Sequence, residues 1–103
     1  MAWTCVASLA DFGGRCVIGV AHGDARIALF RLDDGVYATA DACPHLSARL
    51  SDGEVVDGLI ECPAHYALFD IRSGRCEGGV AAKAVQTYPA RIVAGRIEIG
   101  IDG

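Results

Sequence analysis

A chain of 103 residues carrying 27 Leu, Ile, Val and Phe side chains is one domain's worth of sequence with enough apolar material for a core, which excludes global disorder. Nine Lys and Arg against thirteen Asp and Glu leave a net charge of −4 with no basic cluster, so no nucleic-acid partner is expected. No apolar run approaches the ~18 residues that span a bilayer, and the start Met1-Ala2-Trp3-Thr4 has neither a basic nor an apolar leader. The expected setting is therefore the cytoplasm, away from any membrane.

In chain order, Arg15 to Val20, Arg26 to Leu32 and Val36 to Thr39 are β-branched or aromatic runs separated by His22-Gly23-Asp24 and Asp33-Asp34-Gly35. They predict an antiparallel meander. Leu46 to Leu50 and Ala81 to Val85 are the stretches with room for a turn of helix. Asp57-Gly58 between Glu54-Val55-Val56 and Leu59-Ile60-Glu61 predicts a hairpin, and Ser73-Gly74 after Leu68 to Ile71 predicts another turn. Ile97, Ile99 and Ile101 alternate with Arg96, Glu98 and Gly100, the period of a half-buried strand. Val85 to Val93 is its expected partner through the Ala94-Gly95 turn, with Pro89 breaking the partner into an edge or bulge. The fold class is all-β, an antiparallel sandwich-like domain occupying residues 1–103. Its base is expected from 1–40 and 81–103, with an insert at 41–80.

That insert concentrates chemistry. It holds two of the three prolines, two of the three histidines and three of the five cysteines. Cys43-Pro44-His45 is followed, sixteen residues on, by Cys62-Pro63-Ala64-His65, so each of two loops presents one thiol and one imidazole. Two soft and two borderline ligands suit either a tetrahedral zinc or a pair of irons, and composition alone does not choose. In a Cys2His2 zinc finger the cysteines usually share one knuckle and the histidines another. Mixed loops fit a diiron centre better, one iron collecting the sulfurs and the other the imidazoles. Each Pro follows its Cys directly, fixing φ and removing a backbone donor, which holds the loop open toward a metal.

With this doubled motif, C-x-H and then C-x-x-H, the sequence resembles the Rieske-type 2Fe-2S proteins. The resemblance implies that Cys43 and Cys62 ligate one iron of a 2Fe-2S cluster and that His45 and His65 ligate the other, nearer the surface. It also implies the fold, a Rieske domain whose inserted subdomain binds the cluster. The respiratory-complex branch of the family braces its loops with a disulfide at places that here hold Ala48 and Ala64. It also donates hydroxyl hydrogen bonds to the cluster from places that here hold Ala67 and Phe69. Fewer donors stabilise the extra electron less, so the expected potential lies at the low end of the roughly −150 to +300 mV Rieske range.

A small acidic Rieske domain of this kind resembles the ferredoxin component of aromatic-ring-hydroxylating dioxygenase systems. Such a protein is not itself an enzyme. It carries single electrons from a flavoprotein reductase that oxidises NAD(P)H to a terminal Rieske non-haem iron oxygenase. The chain has no G-x-G-x-x-G, phosphate loop or G-x-S-x-G to support catalysis of its own. It departs from the family at Tyr66, usually a glycine, and at Gly78-Gly79-Val80, where a proline is usual. The alternatives are a small Rieske-like subunit of an assimilatory nitrite reductase and a zinc-stabilised binding module.

Outside the motif, Cys5, Cys16 and Cys76 read as small buried hydrophobes, His22 as a solvated turn residue, and Trp3 and Phe12 as core or edge packing. Asp41, Asp52, Glu54, Asp57 and Glu61 flank the candidate ligands, as a solvated rim or as an acidic collar that steers docking.

Overall fold

The computed structural model describes residues 2–42, 48–63, 67–78 and 83–101. In chain order its strands are β1 (Ala2–Ser8), β2 (Val17–His22), β3 (Ala25–Leu32), β4 (Gly35–Ala40), β5 (Glu54–Val56), β6 (Leu59–Glu61), β7 (Leu68–Asp70), β8 (Cys76–Gly78), β9 (Thr87–Tyr88), β10 (Ala90–Val93) and β11 (Arg96–Ile101). Short 3₁₀ turns stand at Leu9–Phe12 and Leu50–Asp52, and there is no α-helix among the described residues. Nor is any helix there long and apolar enough to cross a membrane.

The strands form three antiparallel sheets, ordered β1-β11-β10, β2-β3-β4-β9 and β5-β6-β7-β8. The second is the middle layer. Successive side chains of a strand point to opposite faces, so β3 sends Ile27 and Leu29 into one cluster with Phe12, Ile18, Val36, Ala38, Ile97 and Ile99. It sends Ala28 and Phe30 into the other, with Val17, Leu50, Ile60, Cys62, Ala67, Phe69, Ile71 and Val85. Two-sided burial is why the unbroken apolar run Ile27-Ala28-Leu29-Phe30 is a strand at all, since a sheet covered on both faces needs no polar alternation. Each fully buried large side chain there contributes about 1.5–3 kcal/mol.

Local chemistry sets the connections. Asp57-Gly58 (φ 51° and 79°) and Ala94-Gly95 (φ 51° and 78°) have both central residues left-handed, the two-residue turn whose twist matches the strands it joins. Pro89 lacks a donor, and there the chain leaves one sheet for another: β9 pairs with β4, whereas β10 pairs with β11.

The meander, both predicted hairpins and the 73–74 turn stand where the sequence puts them. β1 was not expected. It pairs with β11, and a bulge between Cys5 and Ala7 interrupts the alternation that would have revealed it. Room for a turn of helix was read at 46–50 and 81–85. Of these stretches the described part, 48–50 and 83–85, is irregular apart from Leu50, which opens the second 3₁₀ turn. The expected burial of the three other cysteines also fails. Cys5 and Cys16 are exposed and Cys76 is half-buried, because Cys5 takes the outer face of an edge strand opposite Glu98 and Val17 takes the inward position beside Cys16. Phe12 is core, as expected, while Trp3 on edge strand β1 stays 40% exposed with the Arg91 guanidinium 4.0 Å over its ring. His22 is half-buried at the end of β2.

Candidate metal centre

The two motif segments are flanked, at their roots, by described residues that backbone bonds tie together. At the first root, the Asp41 N–H donates to the Arg26 carbonyl (3.0 Å), carrying the β3–β4 ladder one pair beyond Ala40. Ala42 then bridges to Arg49, and the Leu50 N–H donates to the Asp41 carbonyl (2.8 Å). The described chain on the two sides of residues 43–47 is thereby brought together. At the second root, β6 ends at Glu61 and the Cys62 N–H donates to the Ala67 carbonyl (2.8 Å), which ties together the described chain on the two sides of residues 64–66.

The roots meet at Gly53. This residue ends the Leu50–Asp52 turn, its N–H donating to the Leu50 carbonyl (2.9 Å), and it lies so close to the Glu61 carbonyl that a β-carbon there would run into that oxygen. Glycine permits the approach because it has no side chain to clear.

Of the four candidate ligands, Cys62 lies within the described residues. Its side chain is fully buried among Val17, Phe30, Leu50 and Phe69. Cys43, His45 and His65 lie outside them, as do Pro44, Ala64, Tyr66, Gly79 and Val80. The donor set fits a 2Fe-2S cluster by chemistry: two thiolates for one iron, two imidazoles for the other. The one described donor is a thiol in a dry apolar wall, bound to no second cysteine. Ala67 and Phe69 are buried at 1% and 0% exposure and carry no hydroxyl toward the site.

At the first root lies a feature that sequence reasoning placed wrongly. Asp41 is no part of an acidic rim: it is 1% exposed. Its two carboxylate oxygens accept from the Ser51 N–H and the Ser51 hydroxyl, both at 2.7 Å. The pair sits over Gly19 of β2, where a β-carbon would come within 2.7 Å of Ser51 Oγ and 2.8 Å of Asp41 Oδ2. Asp57 also leaves the proposed collar, since it occupies the far turn of the β5–β6 hairpin. What remains near the second root is Asp52, Glu54 and Glu61, the last two paired directly across β5 and β6. Like charges in that register repel.

The β7–β8 connection is held by a carboxylate. Asp70 Oδ1 accepts from the N–H groups of Arg72 and Ser73, both at 2.9 Å. These bonds, that of Ser73 first, keep its carboxyl below the usual range. Arg72 then reaches to the base, with Nη2 2.8 Å from Asp34 Oδ1 and its guanidinium 5.0 Å from the centre of the Tyr37 ring.

Comparison with known proteins agrees with this architecture. The family model of the Rieske [2Fe-2S] domain matches residues 2–89. The chain is 44% identical over 79 residues to the anthranilate 1,2-dioxygenase ferredoxin subunit of Burkholderia cepacia, covering 77% of this chain and 73% of that protein. It is 33% identical over 99 residues to the ferredoxin component of the naphthalene 1,2-dioxygenase system of Pseudomonas putida, covering 96% and 95%. A chain in the solved complex of reduced oxygenase and oxidized ferredoxin in carbazole 1,9a-dioxygenase superposes with a TM-score of 0.85 at 28% identity, covering 94% of this chain and 91% of that one.

Proposed function

The chain belongs to the Rieske [2Fe-2S] domain family, and from that premise we propose that it is the ferredoxin of an aromatic-ring-hydroxylating dioxygenase system, a one-electron carrier without catalysis of its own. Its electrons come from a flavoprotein reductase that oxidises NAD(P)H and go to a terminal Rieske non-haem iron oxygenase, and its compartment is the cytoplasm, where reduced nicotinamide is at hand. The observation that carries this reading is the pairing of two closed loop roots at Gly53, one leading into Cys43-Pro44-His45 and the other into Cys62-Pro63-Ala64-His65. The near full-length match to ferredoxin components supports it.

In this reading Cys43 and Cys62 hold one iron, and His45 and His65 hold the other. When bound, the 2Fe-2S cluster supplies a single reversible electron and transfers no atoms. The chain's own residues do the rest. Leu50, Phe69 and Ile60 wall the Cys62 side from water, which keeps a thiolate–metal bond from hydrolysis. The bonds at 41–50 and 62–67 fix the span of each loop before any metal arrives, and pre-organisation of that kind lowers the cost of binding. Residues 1–40 and 81–103 serve as the base, and 41–80 as the cluster-binding insert. Ala67 and Phe69 give the sulfurs no hydroxyl donors, which fits a low potential.

The test is a relay. Purified chain is mixed with NAD(P)H and a catalytic amount of a dioxygenase-system flavoprotein reductase, and then with the oxidised oxygenase, under stopped-flow absorbance. The expected result is one electron taken up per chain and passed on to the oxygenase. A chain that is never reduced, or that keeps its electron in the oxygenase's presence, overturns the reading.

A further inference from the structure

An unpaired strand edge is a template for further backbone pairing, and a fold ordinarily guards it with charge, proline, a bulge or shortness. Among the described strands, five of the six sheet edges are guarded in that way. β1 carries the bulge between Cys5 and Ala7, and β10 follows Pro89 and carries Arg91. β9 has two residues, and β5 and β8 have three each, with Glu54 and Glu77 among them. β2 is the exception. Its six residues, Val17-Ile18-Gly19-Val20-Ala21-His22, include no Lys, Arg, Asp, Glu or Pro, and its register on β3 runs unbroken.

The outer side of that edge is open. The Arg31 N–H donates to the Cys16 carbonyl (2.8 Å), one pair before Val17 and Phe30 stand opposite each other. In an antiparallel ladder the bonded residues alternate, so Ile18, Val20 and His22 bond to β3, whereas the N–H and C=O groups of Val17, Gly19 and Ala21 point away from it. Gly19 and Ala21 are exposed. Because Gly19 has no side chain, its exposure is that of the backbone itself.

We propose that β2 is a self-association edge: two copies of this chain pair β2 with β2, antiparallel about a twofold axis at Gly19, and join their four-stranded middle sheets into one. The register that pairs every outward residue puts Gly19 opposite Gly19, Val17 opposite Ala21 and Ile18 opposite Val20. No charge meets a like charge along it. Just beyond the strand, the same register sets Arg15 of one copy beside Gly23-Asp24 of the other, and both charged residues are exposed. This opposite-charge contact occurs twice, and it selects a second copy as the occupant of the edge. A twofold contact uses each edge once, so association closes at the dimer. Pairing along one strand buries little, below about 1,200 Å² in total, so dimer and monomer exchange readily.

Sedimentation velocity of the full chain from micromolar to millimolar concentration, with amide hydrogen exchange read residue by residue over the same series, tests this. The expected result is a concentration-dependent dimer in which the Gly19 and Ala21 amides exchange more slowly as it forms, while those of Ile18 and Val20, already bonded to β3, do not change. Arg15→Asp or Asp24→Arg alone should weaken dimerisation about tenfold, since each sets like charges together twice, and the two substitutions combined should restore it. A monomer at every concentration overturns the proposal. So does a dimer that leaves the Gly19 and Ala21 amides unprotected or is indifferent to both single reversals, which would place the contact on another face. Protection of those amides only when a terminal oxygenase is added also overturns it, because the edge would then serve a different occupant. Should a reversed variant fail to fold, the wild-type exchange series decides alone.

Discussion

Gly53 holds the two loop roots at their mutual distance, because its α-carbon rests against the Glu61 carbonyl one residue before Cys62. Gly53→Ala forces these roots apart. Overpacking of this kind costs about 1–3 kcal/mol, and the expected outcome is a matching loss in urea melts together with reduced iron content after reconstitution. Asp70 gives a prediction in pH. Its carboxyl is held below the ordinary value of 3.8 by the Ser73 and Arg72 N–H groups, so its contribution to stability is present above that value and is lost as pH falls through the lower folded value. Asp70→Asn should therefore be less stable than the parent near neutrality, with the gap closing in acid. A gap that stays constant down to strongly acidic pH would contradict the assignment. At this scale the place of Cys62 directly after β6 was legible, because Asp57-Gly58 marks the hairpin that leads to it. Asp41 was not. Nothing in Asp41-Ala42-Cys43 tells a buried carboxylate from a surface one, since its partner Ser51 is ten residues away and Gly19 is on another strand.

The elements follow local rules closely where one residue decides. The Ala94-Gly95 turn places Ala94 at φ 51°, a conformation that costs an L-residue with a β-carbon about 1–2 kcal/mol. Ala94→Gly should stabilise the β10–β11 hairpin by about 0.5–1 kcal/mol after the entropy of glycine is subtracted, read as a higher midpoint in chemical denaturation. An unchanged or lower midpoint would show the strain is absorbed elsewhere. Strands β2, β3, β4 and β11 could be read from the sequence because turn residues bound them. β1 could not, since its bulge breaks the period of two. The 3₁₀ turn at Leu50–Asp52 starts at the end of the stretch with room for a turn of helix, because Leu50 is drawn into the core with Ile60 and Cys62 and Gly53 stops the turn at once.

Across the whole molecule the middle sheet is shared. One face packs on β1-β11-β10 and the other on the elements that carry the loop roots, so both clusters depend on the alternation within β3. The sandwich was legible as a class, but its third layer was not, because a doubly covered strand and a simple apolar run look alike in sequence. The surface near the second root keeps Glu54 opposite Glu61 despite their repulsion. Such a pair is consistent with use in steering. Reduction by the reductase should then slow as ionic strength rises, and Glu54→Lys should slow it further while raising fold stability by about 0.2–1 kcal/mol. Rates indifferent to both would leave the acidic surface as a solvated rim. The division of ligands between the irons is tested most directly by pulsed EPR of the dithionite-reduced chain grown with histidine enriched in the heavy nitrogen isotope. Coupling to two imidazole nitrogens, lost one at a time in His45→Ser and His65→Ser, is the predicted result. A protein that is EPR-silent and zinc-loaded, or a cluster signal with no coupling to labelled histidine, would contradict it.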